Sequence, residues 1–145
     1  MRLLIQRVSK ASVKVEGKCV GKINKGFLVF LGITHGDTKD NVDYLVNKLY
    51  NLRVFEDENE KMNLSIKDIN GEILIVSQFT LYADTSHGNR PSFINAAKPD
   101  KANELYEYFI EKAKQTGLKI EAGIFGADMK VELLNDGPVT ILLEK

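Results

Sequence analysis

The sequence predicts a single α+β domain over residues 1–145: a mostly antiparallel sheet of about half a dozen strands, covered by two helices. Three observations carry that reading. Short alternating or uniformly apolar runs recur between turn residues. Two further segments keep the spacing of amphipathic helices. The chain is one domain's worth in length, enough to bury about 70% of its unfolded surface in one core.

The elements follow in order. MRLLIQRV reads as a first strand, and Val13, Val15 and Cys19 alternate around Glu16-Gly17, which predicts a β-hairpin after it. A second turn falls at 24–26. FLVFLGI, 27–33, is too uniformly apolar for a half-exposed strand and too short for a helix, so it predicts a buried central strand. Asp37 or Thr38 then caps a helix whose Val42, Leu45, Val46 and Leu49 keep the i, i+3, i+4, i+7 spacing. The polar stretch EDENEKMN predicts a surface loop before the strand EILIVSQF, 72–79. From Ala83 to Lys98 the composition turns to Gly, Asn, Pro, Ser and His, a long connection of a length that is functional or disordered. Pro99 opens a second helix with Ala102, Leu105, Tyr106, Phe109 and Ala113 on one stripe and Gly117 ending it. Strands around 129–134 and 138–144 close the chain, with NDGPVT, 135–140, as the reversal between them.

Composition narrows the function classes. Cys19 is the only cysteine, so no internal disulfide forms and a reduced, cytoplasmic setting is expected. The N-terminal stretch lacks the apolar core and small-residue site of a signal peptide, and no apolar run approaches a membrane span. Twenty basic and twenty acidic side chains cancel, but residues 1–25 hold seven Lys or Arg against one acid, Glu16. That segment suits either a phosphate backbone or an ordinary solvated face.

Conventional catalytic sets are scarce. The only imidazoles, His35 and His87, lie in loop contexts, THGD and SHGN, and read as exposed loop residues. Cys19 reads as a small buried hydrophobe. Metal-ligand spacing of Cys or His, a phosphate-binding glycine loop and a dinucleotide fingerprint are absent. What stands out is SQFTLYAD, 77–84, where a core strand ends in Ser77, Gln78 and Thr80 among Phe79 and Tyr82. An amide and backbone N–H groups at a strand end suit an oxyanion hole. Equally, Ser77 and Thr80 would satisfy the backbone there while Gln78 is solvated.

Taken together, SQFTLYAD and NDGPVT resemble the two motifs, SQFTLY and NxGP(V/T)T, of the D-aminoacyl-tRNA deacylases. MRLLIQRVSKASVKV, FEDENEKMNLSI, GNRPSF and FGADMKVELLNDGP read as the same family's text, so the resemblance spans essentially the whole chain. Glu60 stands where members often carry glycine, a surface departure that touches no site residue.

The resemblance implies a barrel-like homodimer. It also implies hydrolysis of the ester between a D-amino acid, or glycine mischarged on the alanine tRNA, and the 3′-terminal adenosine of tRNA. No cofactor, metal, membrane or DNA partner is implied. Gln78 and the Phe79 N–H carry over as the groups near the scissile carbonyl, with Ser77 beside them. Thr80 is either the nucleophile or a positioning residue beside a substrate whose ribose 2′-hydroxyl assists water. The second is favoured, because no base is identifiable next to Thr80.

Gly137 and Pro138 carry over as a cis pair reaching across the dimer interface, whose carbonyls leave an L side chain no room. X-Pro is the one link for which cis is cheap, and Gly removes the blocking Cβ. Phe125, Ala127 and Met129, with Gly126, are implied to line the adenosine or aminoacyl pocket. Arg7 is expected to meet the tRNA end or steady the Gly-Pro segment, and Arg90 to hold its own loop. Two competing readings are a nucleic-acid-binding module without turnover, motivated by the basic N-terminal segment, and a hydrolase of free D-amino-acid esters.

Overall fold

A computed structural model describes all residues 1–145. The chain runs β1 (Arg2–Val15), β2 (Lys18–Ile23), β3 (Gly26–Gly32), α1 (Lys39–Asn51), β4 (Arg53–Glu56), β5 (Met62–Ser65), β6 (Glu72–Ser77), a 3-10 turn (Phe79–Tyr82), α2 (Pro99–Lys114), β7 (Ile120–Ala122) and β8 (Lys130–Glu144). The main sheet has the order β2-β1-β3-β6-β7, with β8 pairing along the other edge of β1. Pairs of β1 with β2, β3 and β8 are antiparallel, whereas β3–β6 and β6–β7 are parallel. Parallel neighbours need a crossover, and each helix serves as one. The sheet curls toward a barrel: a Cβ on Gly21 of β2 would stand 3.0 Å from Leu74 of β6 and 3.1 Å from the Ala122 carbonyl of β7.

The uniformly apolar run behaves as expected, for a geometric reason. β3 is central, and its alternate residues feed two cores: Phe27, Val29 and Leu31 meet the helices, while Leu28 packs inside the curl with Val8, Ala11, Val13, Ile23, Leu74 and Val76. A strand buried on both faces has no polar alternation. Both helical stripes are buried, Ile110 joining the second. Thr38, not Asp37, is the α1 N-cap, its N–H donating to Asn41 Oδ1 at 2.8 Å. Asp37 is instead buried, accepting from the Thr34 N–H and the Met1 ammonium.

Several expectations are corrected. The first strand and first hairpin arm are one continuous strand, β1, and EDENEKMN lies within a small β4–β5 hairpin. The strand EILIVSQF stops at Ser77, after which the chain tightens into the 3-10 turn. Cys19 is exposed, because it sits on the outer face of β2. Most consequentially, NDGPVT is not a reversal. Lys130–Glu144 is one strand running antiparallel to β1 throughout, with Thr140 opposite Gln6 and Asn135 opposite Val8. Residues 136–139 therefore bulge out opposite the single residue Arg7.

Candidate active site

The 3-10 turn begins where β6 leaves the sheet. The Gln78 N–H still donates to the Leu31 carbonyl of β3 at 2.8 Å, so this residue is held in the strand's register. Gly32 admits the turn beside it, since a Cβ there would meet Leu81 Cβ at 3.0 Å and the Gln78 carbonyl at 3.2 Å. Arg2 fixes the far end, donating to the Leu81 carbonyl at 2.7 Å and lying 4.6 Å from the Tyr82 ring centroid. Burial pushes the Tyr82 phenol up to about 12, assisted by Asp37. The backbone N–H groups of Phe79 and Thr80, at the start of the turn, have no acceptor within the chain.

The turn opens onto a cavity of about 670 Å³ with a mainly apolar lining. Ser77, Gln78, Phe79, Phe125, Ala127 and Met129 all line it, together with Gly126. Thr80 stands just outside, its Oγ1 hydrogen-bonded to the Gln78 side-chain amide. That partner is a neutral amide, which takes up no proton, so the Thr80 hydroxyl has no base beside it.

Two wall segments come from loops. Residues 123–129 follow β7 and are tied to β6 by the Gly123 N–H donating to the Ile75 carbonyl at 2.9 Å. The buried Tyr106 of α2 adds a second tie, its hydroxyl lying 3.0 Å from the Gly123 carbonyl and 3.2 Å from that of Ile75, while its ring packs on Phe125. Burial raises the Tyr106 phenol well above the ordinary range.

The long connection, residues 83–98, supplies Phe93, Ala96, Ala97 and Lys98 to the cavity. It is pinned at one end by paired backbone bonds between Asp84 and Ser92, and at the other by a bridge from Thr34 to Ala96 and the Ala97 N–H on the Ile33 carbonyl. Arg90 makes no hydrogen bond or ion pair, so the expectation that it holds this loop is corrected. The Asp84 carboxylate, accepting from the Ser86 hydroxyl and N–H, does that work and is thereby held below its ordinary pKa. His35 and His87 are exposed; His35 Nε2 lies 2.6 Å from the Ile94 carbonyl, also outside the cavity.

Gly137 and Pro138 are not brought to this cavity within one chain. They occupy the β8 bulge, both exposed, joined by a cis peptide bond, with Gly137 at φ +135°. Arg7, only 5% exposed, grips the bulge from below: Nε donates to the Asp136 carbonyl at 2.9 Å and Nη1 to the Val54 carbonyl at 2.7 Å. Asn135 closes the bulge end to end, accepting from the Val139 N–H at 3.0 Å and donating to Thr140 Oγ1 at 3.0 Å. Of the two roles open to Arg7, the one it occupies is support of the Gly-Pro segment. Sequence reasoning missed Tyr106, whose place on the helical stripe marks it only as core, and Phe93, which has no periodic context.

No cluster of three or more His, Cys, Asp or Glu side chains is positioned to hold a metal ion, and no helix is long and apolar enough to cross a membrane. A deacylase from Fusobacterium nucleatum, named D-aminoacyl-tRNA deacylase, is 62% identical over 144 residues, covering 99% of this chain and 95% of its own. One of the same name from Clostridioides difficile is 58% identical, covering 99% and 97%. Among solved structures, a "c-Myc DNA Unwinding Element Binding Protein" superposes with a TM-score of 0.94 at 44% identity over 100% of this chain and 99% of that one. A "probable eukaryotic D-amino acid tRNA deacylase" shares the fold at 17% identity, with a TM-score of 0.85 over 98% of this chain and 97% of that one. Residues 4–144 match the family described as D-Tyr-tRNA(Tyr) deacylase, and the chain belongs to that family.

Proposed function

We propose that the protein hydrolyses the ester between a D-amino acid and the 3′-terminal adenosine of tRNA, releasing the free D-amino acid and tRNA. The observation that carries this reading is the cavity that sets the Gln78 amide and the unpaired Phe79 N–H beside an apolar wall, in a chain of this family. Water attacks the ester carbonyl. The Gln78 amide and the Phe79 N–H stabilise the developing oxyanion, Ser77 shaping the wall beside them, and Phe125, Ala127 and Met129 receive the aminoacyl-adenosine end. Thr80 positions rather than attacks, because its one side-chain partner is an amide. The proton of the attacking water passes through the substrate's 2′-hydroxyl, and no cofactor enters. Soluble, cytoplasmic work on tRNA fits this chemistry.

Chirality is read by a second copy of the chain. Gly137 and Pro138 are exposed and away from the cavity, and Leu142 stands 50% exposed on the same strand. A homodimer that covers the 137–142 part of this strand brings the Gly-Pro carbonyls of one protomer to the cavity of its partner. A backbone filter is indifferent to side-chain identity, admits many D-residues and refuses their L forms. Glycine has no side chain to refuse, so glycyl-tRNA is cleaved as well.

The test is release of tyrosine from D-tyrosyl-tRNA and L-tyrosyl-tRNA, side by side, against the spontaneous rate. Loss of the D-ester alone is expected, and Gln78→Ala lowers it by about 10²–10³ while the protein stays folded. A second reading, nucleic-acid binding without turnover, is favoured by the DNA-element name on the 44% identical structure. It predicts no acceleration of either ester.

A further inference from the structure

We propose that the outer face of β1 and β2, carrying Lys10, Lys14 and Lys22, receives the phosphodiester backbone of the tRNA acceptor arm. This rests on the deacylase reading and extends it from the terminal nucleotide to the RNA behind it. Strand parity builds the face. Ala11 and Val13 are buried, so Lys10, Ser12 and Lys14 point outward. The register sets Lys22 across from Ser12, and Lys130 of β8 across from Lys14.

Lys10, Lys14 and Lys22 line a second concavity of about 750 Å³ in which Glu132 is the one carboxylate. None of Lys10, Lys14 and Lys22 is in an ion pair; Lys130 is paired with Asp128. Lys14 stands directly opposite Lys130, like charges so placed oppose folding, and in a chain of zero net charge carboxylates to neutralise the three unpaired lysines are plentiful. An external polyanion supplies what the fold withholds.

Position identifies which part of the RNA it is. Val131 lines both cavities, so the basic concavity adjoins the candidate active site across one residue of β8. A cavity of about 670 Å³ takes a small ligand such as an aminoacyl nucleoside and not an RNA arm, so the remaining nucleotides leave over its rim. The lysine face at that rim matches their charge.

The experiment compares wild type, the triple variant Lys10→Gln/Lys14→Gln/Lys22→Gln, and a control triple Lys48→Gln/Lys61→Gln/Lys114→Gln. Each is assayed on D-tyrosyl-tRNA across a salt series and on D-tyrosyl-adenosine, which lacks the acceptor arm. One phosphate contact contributes roughly fivefold to eightfold between 1 M and 0.1 M salt. The first triple is therefore expected to raise KM for the tRNA about 100-fold to 500-fold at 0.1 M salt and flatten the log KM against log salt slope by about 2 to 3, with kcat and the small ester unaffected. The control triple is expected to match wild type.

A first triple with wild-type KM and slope overturns the proposal. So does one with an altered oligomeric state, since the face would then be a protein interface. Wild type that cleaves neither ester sinks the deacylase reading instead. Fluorescence anisotropy with uncharged tRNA then decides the lysine face: a salt-dependent loss of binding in the first triple supports it, and equal binding overturns it.

Discussion

Replacing Tyr106 with Phe removes one oxygen from a side chain that is 1% exposed and leaves the ring, with its packing on Phe125, in place. The consequence is set by which carbonyl is orphaned. The Ile75 carbonyl keeps the Gly123 N–H at 2.9 Å, whereas the Gly123 carbonyl has the Tyr106 hydroxyl as its sole donor. An unsatisfied buried carbonyl costs about 1–3 kcal/mol, and this one is only part-buried, which places the expected loss at about 1–2 kcal/mol. For a chain of this length that lowers the Tm by about 3–8 °C, readable by calorimetry.

The same carbonyl fastens the start of the 123–129 wall to β6, the strand that runs into Gln78. Loosening it weakens apolar contacts made equally in the ground and transition states. KM for D-tyrosyl-tRNA then rises severalfold while kcat stays within about twofold. A Tyr106→Phe protein with Tm within about 1 °C of wild type and unchanged KM would refute the clamp.

Three further outcomes are expected. Gly137→Ala places a Cβ 2.9 Å from Val139 Cγ2 and 3.0 Å from Arg7 Nη2 at a φ of +135°, so D-ester hydrolysis falls or the D-to-L rate ratio drops; unchanged rate and ratio sink the backbone filter. Arg7→Lys offers an ammonium where a fork spans two carbonyls, leaving one unpaired in a buried site, and lowers stability by about 2–3 kcal/mol in urea titration. Tyr82 has a folded pKa raised by burial above the ordinary 10, so its contribution is complete below pH 10 and is lost as pH rises through about 12. Urea midpoints measured from pH 9 upward should therefore fall less in Tyr82→Phe than in wild type.

What was legible in the sequence was whatever burial made periodic. The stripes of α1 and α2 and the run FLVFLGI announce their partners because each residue's neighbours lie on known faces. The β8 bulge carries no such local mark. Asn-Asp-Gly-Pro has the same composition whether the chain reverses or steps aside, and the choice is made by β1, 130 residues away, which pairs with both halves of β8. Cys19 failed for a related reason: alternation puts it on the face of the buried Gly21 and Ile23, but the register shift between Val13 and Lys14 turns it outward opposite Lys14. At the site, SQFT was legible as a polar strand end. The walls from residues 93–98 and the Tyr106 tie were not, since a loop residue shows no period and a buried tyrosine looks like core.

The bulge also explains why the proposed filter of backbone needs so much side-chain chemistry behind it. Four residues, 136–139, are released from the β1 ladder, and backbone released from a ladder is free to move unless other groups hold it. Here Arg7 holds the near end through the Asp136 carbonyl, Asn135 ties the Val139 N–H back across the bulge, and Val139, 9% exposed, roots its far side in the main core. The Arg7 guanidinium reaches on to Val54 in the β4–β5 hairpin, an element that touches no part of the cavity. In the proposed filter the Gly-Pro carbonyls refuse an L-ester only where they are held in place, so the stiffness of these anchors sets how well they do it.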